Sequence, residues 1–189
     1  MRSINEILSL VCGFLNREKI DYVVVGGIAV IFYGNPRTTM DADIILRTEE
    51  NKIKKFVDFL KKNDFFASEE NLRSAIIEKS HCTFEDKKSM LRLDLKGIYN
   101  EIDKRTFERR VSFNYLGTTI YLASPEDTIA NKLAFGSEQD IKDAEGIYVR
   151  QTKKLDMRYL EKICRETGVY EDFLEMKKRV EKYLRELKK

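Results

Sequence analysis

The sequence predicts an α+β fold in which strands and short helices share residues 1–123 and helices alone fill 124–189. Three observations carry that expectation. Short apolar or alternating runs at 21–25, 42–47, 75–84, 90–96, 110–115 and 118–122 have strand length and are bounded by polar turns. Apolar residues at helical spacing lie between and before them. Ser124-Pro125-Glu126 then marks a lasting change to helical periodicity. At 189 residues and 42% hydrophobic content, the chain is of single-domain length with enough apolar mass for a core.

In chain order, Ile4, Ile7, Leu8, Val11, Phe14 and Leu15 recur at helical spacing, so residues 3–17 form an amphipathic helix. A strand at 21–25 leads into Gly26-Gly27 and a short helix over 27–34. A turn at Asn35-Pro36 precedes the strand 42–47. Thr48-Glu49-Glu50-Asn51 starts the next helix, with Ile53, Phe56, Val57 and Leu60 as its inward stripe. Segments 75–84 and 90–96 read as an antiparallel pair around Glu85-Asp86-Lys87-Lys88, and 110–115 and 118–122 as a second pair around Leu116-Gly117. Pro125 at the first helical turn after Ser124, with Glu126 and Asp127 near its positive end, opens the helical region. The last helix carries Phe173, Met176, Val180, Tyr183, Leu184 and Leu187 on one face. No linker, repeat or low-complexity segment interrupts the chain.

Charge narrows the partners. Lys+Arg total 35 against Asp+Glu 32, a net +3, so no global field draws the chain to nucleic acid. Two local basic clusters, Lys104/Arg105/Arg109/Arg110 and Arg150/Lys153/Lys154/Arg158, read either as solvated surface or as a footprint for a polyanion. No apolar run approaches the ~20 residues of a bilayer span, so no membrane partner is expected. No signal peptide is visible. Cys12, Cys82 and Cys164 fit no zinc spacing, and a reducing cytoplasm is the simplest setting. A charged content of 35% with only two Gln leans toward a thermophile.

The chemistry concentrates in residues 22–46. Alternation puts Asp41 and Asp43 on one face of their strand, with Cα atoms roughly 6.5–7 Å apart. Two carboxylates so placed call for a cation between them, and Mg²⁺ is commonly held by one or two carboxylates plus substrate phosphates. The alternative is an exposed polar edge. Gly26 and Gly27 offer backbone that a phosphate can approach closely, with N–H groups at a helix start. A phosphate cradle joined to a carboxylate pair points to phosphoryl or nucleotidyl transfer.

The string Gly-Gly-x-Ala-x-x-x-x-Gly-x-x-Arg-x-Thr-x-Asp-x-Asp, from Gly26 to Asp43, resembles the DNA polymerase beta-like nucleotidyltransferase superfamily, in the branch of AbiEii-type toxin nucleotidyltransferases. The resemblance implies a nucleotidyltransferase fold: a mixed sheet flanked by helices over residues 1–123, and a helical region, 124–189, packed on that core. It also implies a third carboxylate on a neighbouring strand. Asp94, in Leu91-Arg92-Leu93-Asp94-Leu95-Lys96, is the candidate, and an ion pair with Arg92 or Lys96 is the alternative. Asp86, in the hairpin turn, is the weaker choice. Asp41, Asp43 and Asp94 would then hold two Mg²⁺ ions (or Mn²⁺) while an acceptor hydroxyl attacks an NTP.

The same resemblance points to Lys132 as a catalytic and nucleotide-binding lysine that neutralises triphosphate charge, followed by the acidic cluster Asp140-Ile141-Lys142-Asp143-Ala144-Glu145. Asp143 is its orienting partner or a further carboxylate. Gly146 stands where the branch more often has a second Asp. A solvated helical lysine is the alternative. Arg37 either contacts a phosphate or anchors its loop to Asp41, and Thr39 joins the nucleotide site or only begins the strand. His81, the single histidine, reads as a strand residue, which excludes Ser-His-Asp chemistry.

The expectation is a Mg²⁺-dependent nucleotidyltransferase that moves an NMP to an RNA or tRNA 3′ end or to a protein hydroxyl. A toxin role would require an antitoxin protein. The competing expectation is a catalytically silent nucleotide-sensing or protein-binding module on the same fold. A Rossmann dinucleotide site is the weaker third expectation, because Gly26-Gly27 lacks the Gly-x-Gly-x-x-Gly spacing and the next strand begins too soon.

Overall fold

The computed structural model describes residues 1–186. The chain divides into two compact units: Met1–Ile28 with Thr38–Ala123, and Ala29–Arg37 with the chain from Ser124 onward.

The first unit is built on a seven-stranded mixed sheet of order β3-β4-β5-β2-β1-β7-β6. Its strands are β1 (Asp21–Val25), β2 (Asp41–Arg47), β3 (Phe65–Phe66), β4 (His81–Asp86), β5 (Arg92–Lys96), β6 (Val111–Tyr115) and β7 (Thr118–Leu122). β1 runs antiparallel to β2 and parallel to β7, while β2 runs parallel to β5. The β4–β5 and β6–β7 pairs are antiparallel hairpins.

Alternation along the strands divides the side chains between the faces. One face presents Tyr22, Val24, Ala42, Ile44, Leu46, Phe84, Leu93 and Leu95, all buried. Helices α1 (Ile4–Arg17), α3 (Glu50–Lys62) and α4 (Glu69–Ile77) bring Ile7, Leu8, Val11, Leu15, Ile53, Phe56, Val57, Leu60 and Leu72 to the same core. Ser3 caps α1 through a reciprocal bond with Glu6, satisfying two N-terminal donors. The opposite face is apolar only in part. There Val23, Ile45 and Ala123 pack on Phe107 of α5 (Glu101–Glu108).

The second unit holds α6 (Pro125–Phe135), α7 (Glu138–Gln151), α8 (Met157–Glu166) and α9 (Tyr170–Glu186). It also holds most of α2 (Gly26–Tyr33), whose C-terminal end lies against α7. A Cβ at Gly34 would sit 3.0 Å from Ile147, and one at Gly146 would sit 2.8 Å from Asn35. Gln151 donates to the Tyr33 carbonyl at 2.8 Å. Phe173, Met176 and Val180 line the buried side of α9, whereas Tyr183 is exposed and Leu187 lies outside the described residues.

Three elements fall outside the expectation: β3, α4 and α5. Residues 75–77, read as the start of a strand, end α4, and the strand begins at His81. The apolar run Ala75-Ile76-Ile77 suits either state, but Ser68 accepts a hydrogen bond from Asn71 N, and Glu69 and Glu70 favour the helix start. Among the described residues, no helix is long and apolar enough to cross a membrane.

Candidate functional site

The partly polar sheet face carries the carboxylates. Register fixes who meets whom: Asp43 pairs with Asp94 across the parallel β2–β5 ladder, Asp94 with Thr83 across β4–β5, and Asp43 with Val25 across β1–β2. Strands lie ~4.8 Å apart, so Asp43 and Asp94 are side-by-side neighbours. One step along the same face runs a second row, Asp41, Arg92 and Glu85. Asp41, Asp43 and Asp94 are all half-buried.

The polar partners differ from those the sequence suggested. Arg92 Nε donates to Asp41 Oδ1 at 2.6 Å. Lys96 Nζ donates to Asp103 Oδ1 at 2.7 Å. The two cations offered as partners for Asp94 therefore both bond elsewhere, and Asp94 Oδ1 instead accepts from Thr83 Oγ1 at 2.5 Å. Thr39 Oγ1 donates to its neighbour's main chain, the Asp41 carbonyl, at 3.3 Å. Asp86 is buried and taken up by Arg2 at 2.5 Å and Ser89 at 2.7 Å. His81 is an exposed residue of β4 opposite Lys96.

Gly26 makes the close approach possible. Its φ is +63°, and a Cβ there would sit 2.2 Å from Asp43 Oδ2. Only glycine lets the strand turn into α2 while the Asp43 carboxylate occupies that space. Gly26 and Gly27 form the first turn of α2, where backbone N–H groups have no partner within the helix.

The donor set suits a hard divalent cation, since carboxylate oxygens are the ligands Mg²⁺ takes together with phosphate oxygens. Arg92 already stands in as a cation on Asp41. Among the described residues, no three His, Cys, Asp or Glu side chains are gathered as a ready-made metal cluster. Carboxylates shared along one face and completed by substrate oxygens, rather than a preformed cage, is the arrangement that Asp41, Asp43 and Asp94 fit.

In the second unit, Lys132 is only 9% exposed. Its Nζ lies 2.6 Å from Asp140 and 3.3 Å from Asp143. Asp143 is the expected partner, but Asp140 is the nearer one. Ser137 and Asp140 form the capping box of α7, the local signal that singles out Asp140. Burial opposes ionisation of Asp140, yet hydrogen bonds from Lys132 and Ser137 outweigh it and hold the carboxyl below its usual range. Asp143 also receives Gln139 Nε2 at 2.8 Å and lies 3.2 Å from Arg37 Nη2. For Arg37 the sequence offers a phosphate contact or an anchor to Asp41. The carboxylate found beside it is Asp143.

The three cysteines, Cys12, Cys82 and Cys164, lie in the interior. All three are unpaired, and burial pushes the Cys12 and Cys164 thiols up to about 12. Burial and the charge of Asp94 push Cys82 up to about 11. In one basic cluster Arg110 has a structural use: it stacks on Phe107 and Tyr121 and lies 3.3 Å from Asp21.

Solved structures share this fold. An antigenic nucleotidyltransferase-like protein from Paracoccidioides brasiliensis aligns with a TM-score of 0.60 at 15% identity, over 94% of this chain and 91% of its own. ANT(2")-Ia, in complex with adenylyl-2"-tobramycin, aligns at 0.57 and 10% identity, over 87% and 96%. The lincosamide antibiotic adenylyltransferase LnuA, lincomycin-bound, aligns at 0.50 and 18% identity, over 72% and 91%. No curated protein sequence matches significantly. The family model described as a nucleotidyltransferase of unknown function (DUF6036) matches residues 2–188, and the chain belongs to that nucleotidyltransferase family.

Proposed function

We propose that the protein is a Mg²⁺-dependent nucleotidyltransferase that moves an NMP from an NTP to a hydroxyl on RNA, a tRNA 3′ end or a protein. The observation that carries this reading is the side-by-side register of Asp43 and Asp94, with Asp41 two residues along on the same face. Membership of a nucleotidyltransferase family supports it. The toxin-like role with an antitoxin partner rests on the AbiEii-type resemblance of residues 26–43 alone.

In this mechanism residues 1–123 hold the chemistry and Asp41, Asp43 and Asp94 are the metal-binding carboxylates. Bound Mg²⁺, or Mn²⁺ in its place, supplies neutralisation of phosphate charge and a lowered pKa for the acceptor hydroxyl. Gly26 and Gly27 bind phosphate oxygens through main-chain N–H groups. Thr83 holds Oδ1 of Asp94, leaving Oδ2 to take the acceptor's proton. The acceptor oxygen forms a bond to the α-phosphorus as the bond to pyrophosphate breaks. Lys132, Arg37, Thr39 and Asp143 serve the nucleotide, with Lys132 the residue that meets triphosphate charge.

A second reading, a module that binds nucleotide without transferring it, is favoured by the Arg92–Asp41 pair, which occupies one of the three carboxylates. Incubation with each of four α-labelled NTPs and Mg²⁺, offering RNA and protein acceptors, separates the two. The enzyme reading expects label transfer by the native chain and none by Asp43→Asn. NTP binding without transfer to any acceptor would replace it with the binding module.

A further inference from the structure

Arg92 is a side chain on the acidic face whose place the proposed chemistry does not explain. It occupies the centre of a three-strand row: β5 sets it in register with Asp41 of β2 on one side and with Glu85 of β4 on the other. Both carboxylates lie within reach of one long side chain, which bonds Asp41 at 2.6 Å and leaves Glu85 exposed. Its side chain is 47% exposed, so burial does not fix it in place.

We propose that Arg92 is a counter-ion latch that competes with the divalent cation for Asp41, with Glu85 as the place it moves to when the cation binds. The inference rests on the metal-binding reading of Asp41, Asp43 and Asp94 given above. A cation and a guanidinium cannot share one carboxylate without mutual repulsion, which screening weakens but does not remove at contact distances. Metal affinity is therefore reduced by the strength of the Arg92–Asp41 bond and restored in part by the Arg92–Glu85 bond. Two exposed ion pairs of similar strength exchange at little net cost. An acidic face held this way stays neutralised at Asp41 when no metal is bound, and free divalent ions must displace a bound cation to enter.

Titration of the full chain with Mn²⁺, followed by the electron paramagnetic resonance signal of the free ion, tests this without relying on activity. Arg92→Met is expected to tighten Mn²⁺ binding about three- to tenfold, and Glu85→Gln to weaken it about two- to fivefold. Arg92→Met/Glu85→Gln is expected to bind as Arg92→Met does, because Glu85 acts only through Arg92. Arg92→Lys, which keeps the charge, should stay near the native affinity. If Arg92→Met leaves affinity unchanged or lower while Asp43→Asn abolishes binding, the latch is wrong and the metal-site reading stands. If the native chain and Arg92→Met both bind no Mn²⁺, the metal-site reading fails and the latch fails with it.

Discussion

A single missing atom decides what Asp43 can do. At Gly26 the φ of +63° and the space taken by Asp43 Oδ2 both exclude a Cβ. Gly26→Ala is expected to cost about 1–3 kcal/mol and to push Asp43 out of its row, lowering the melting temperature and Mn²⁺ affinity together. Thermal denaturation and Mn²⁺ titration read the two effects, and a variant that kept both would show that the close approach is unnecessary. Asp94→Asn is expected to lower label transfer about 100-fold or more, since it removes the proposed proton acceptor. Its melting temperature should change little, because Asp94 is half-buried and bonded to one hydroxyl. That Asp41 and Asp43 share a face was legible, because alternation along a strand is a local property, whereas Asp94 was offered only by the family resemblance. The partners of these carboxylates were not legible. Arg92 and Lys96 flank Asp94 in sequence and look like its counter-ions, but setting β2 beside β5 gives Arg92 to Asp41, and Lys96 goes to Asp103. Strand order is a long-range fact that no local pattern contains.

Between elements, a largely buried ion pair of the second unit joins α6 to α7 through Lys132. Removing one member of a buried ion pair leaves the other charge without compensation, so Lys132→Met is expected to destabilise the protein by about 3 kcal/mol, read from the urea midpoint. The same contact sets an acid limit. Asp140 has a folded pKa below its unfolded value, so its contribution is complete above the ordinary carboxylate range and is lost as pH falls through the lower folded value. The urea midpoint of the native chain should therefore drop on its acid limb below about pH 4, and Lys132→Met should show a shallower drop. Equal slopes would remove Lys132 as the cause. Most elements were legible because their caps and periods are written locally: Ser3 before α1, Ser124-Pro125 before α6, alternation in β4 and β5. The helix α4 was hidden by an apolar run at its end, though Ser68-Glu69-Glu70 announces it. The helix α5 and the two-residue β3 gave no comparable stripe, since α5 has only eight residues and shows Phe107 as its main buried anchor.

Across the whole chain, the covalent order and the compact units do not coincide. Residues 29–37 group with the helices that begin at Ser124, so a cut at 123/124 would separate Tyr33, Gly34 and Asn35 from Ile147, Gly146, Arg150 and Gln151. A fragment of residues 124–189 is expected to show weak helicity and no cooperative melt by circular dichroism, with helicity recovered on adding a peptide of residues 26–40. A cooperative melt of the fragment alone would show that the segment is dispensable. The sequence suggested a boundary at 123 because helical periodicity takes over there, and local periodicity cannot report that an earlier segment returns to a later one. The register of Asp43 with Asp94 carries a further consequence for how the molecule breathes. Both residues sit in strands flanked by neighbours on each side, so their row is kept by amides that cannot open singly. Slow hydrogen exchange at Ala42–Ile44 and Leu93–Leu95 should then track global unfolding. The site would be lost only when the sheet is lost, and the loops around it would be free to change length while the row of carboxylates stays fixed.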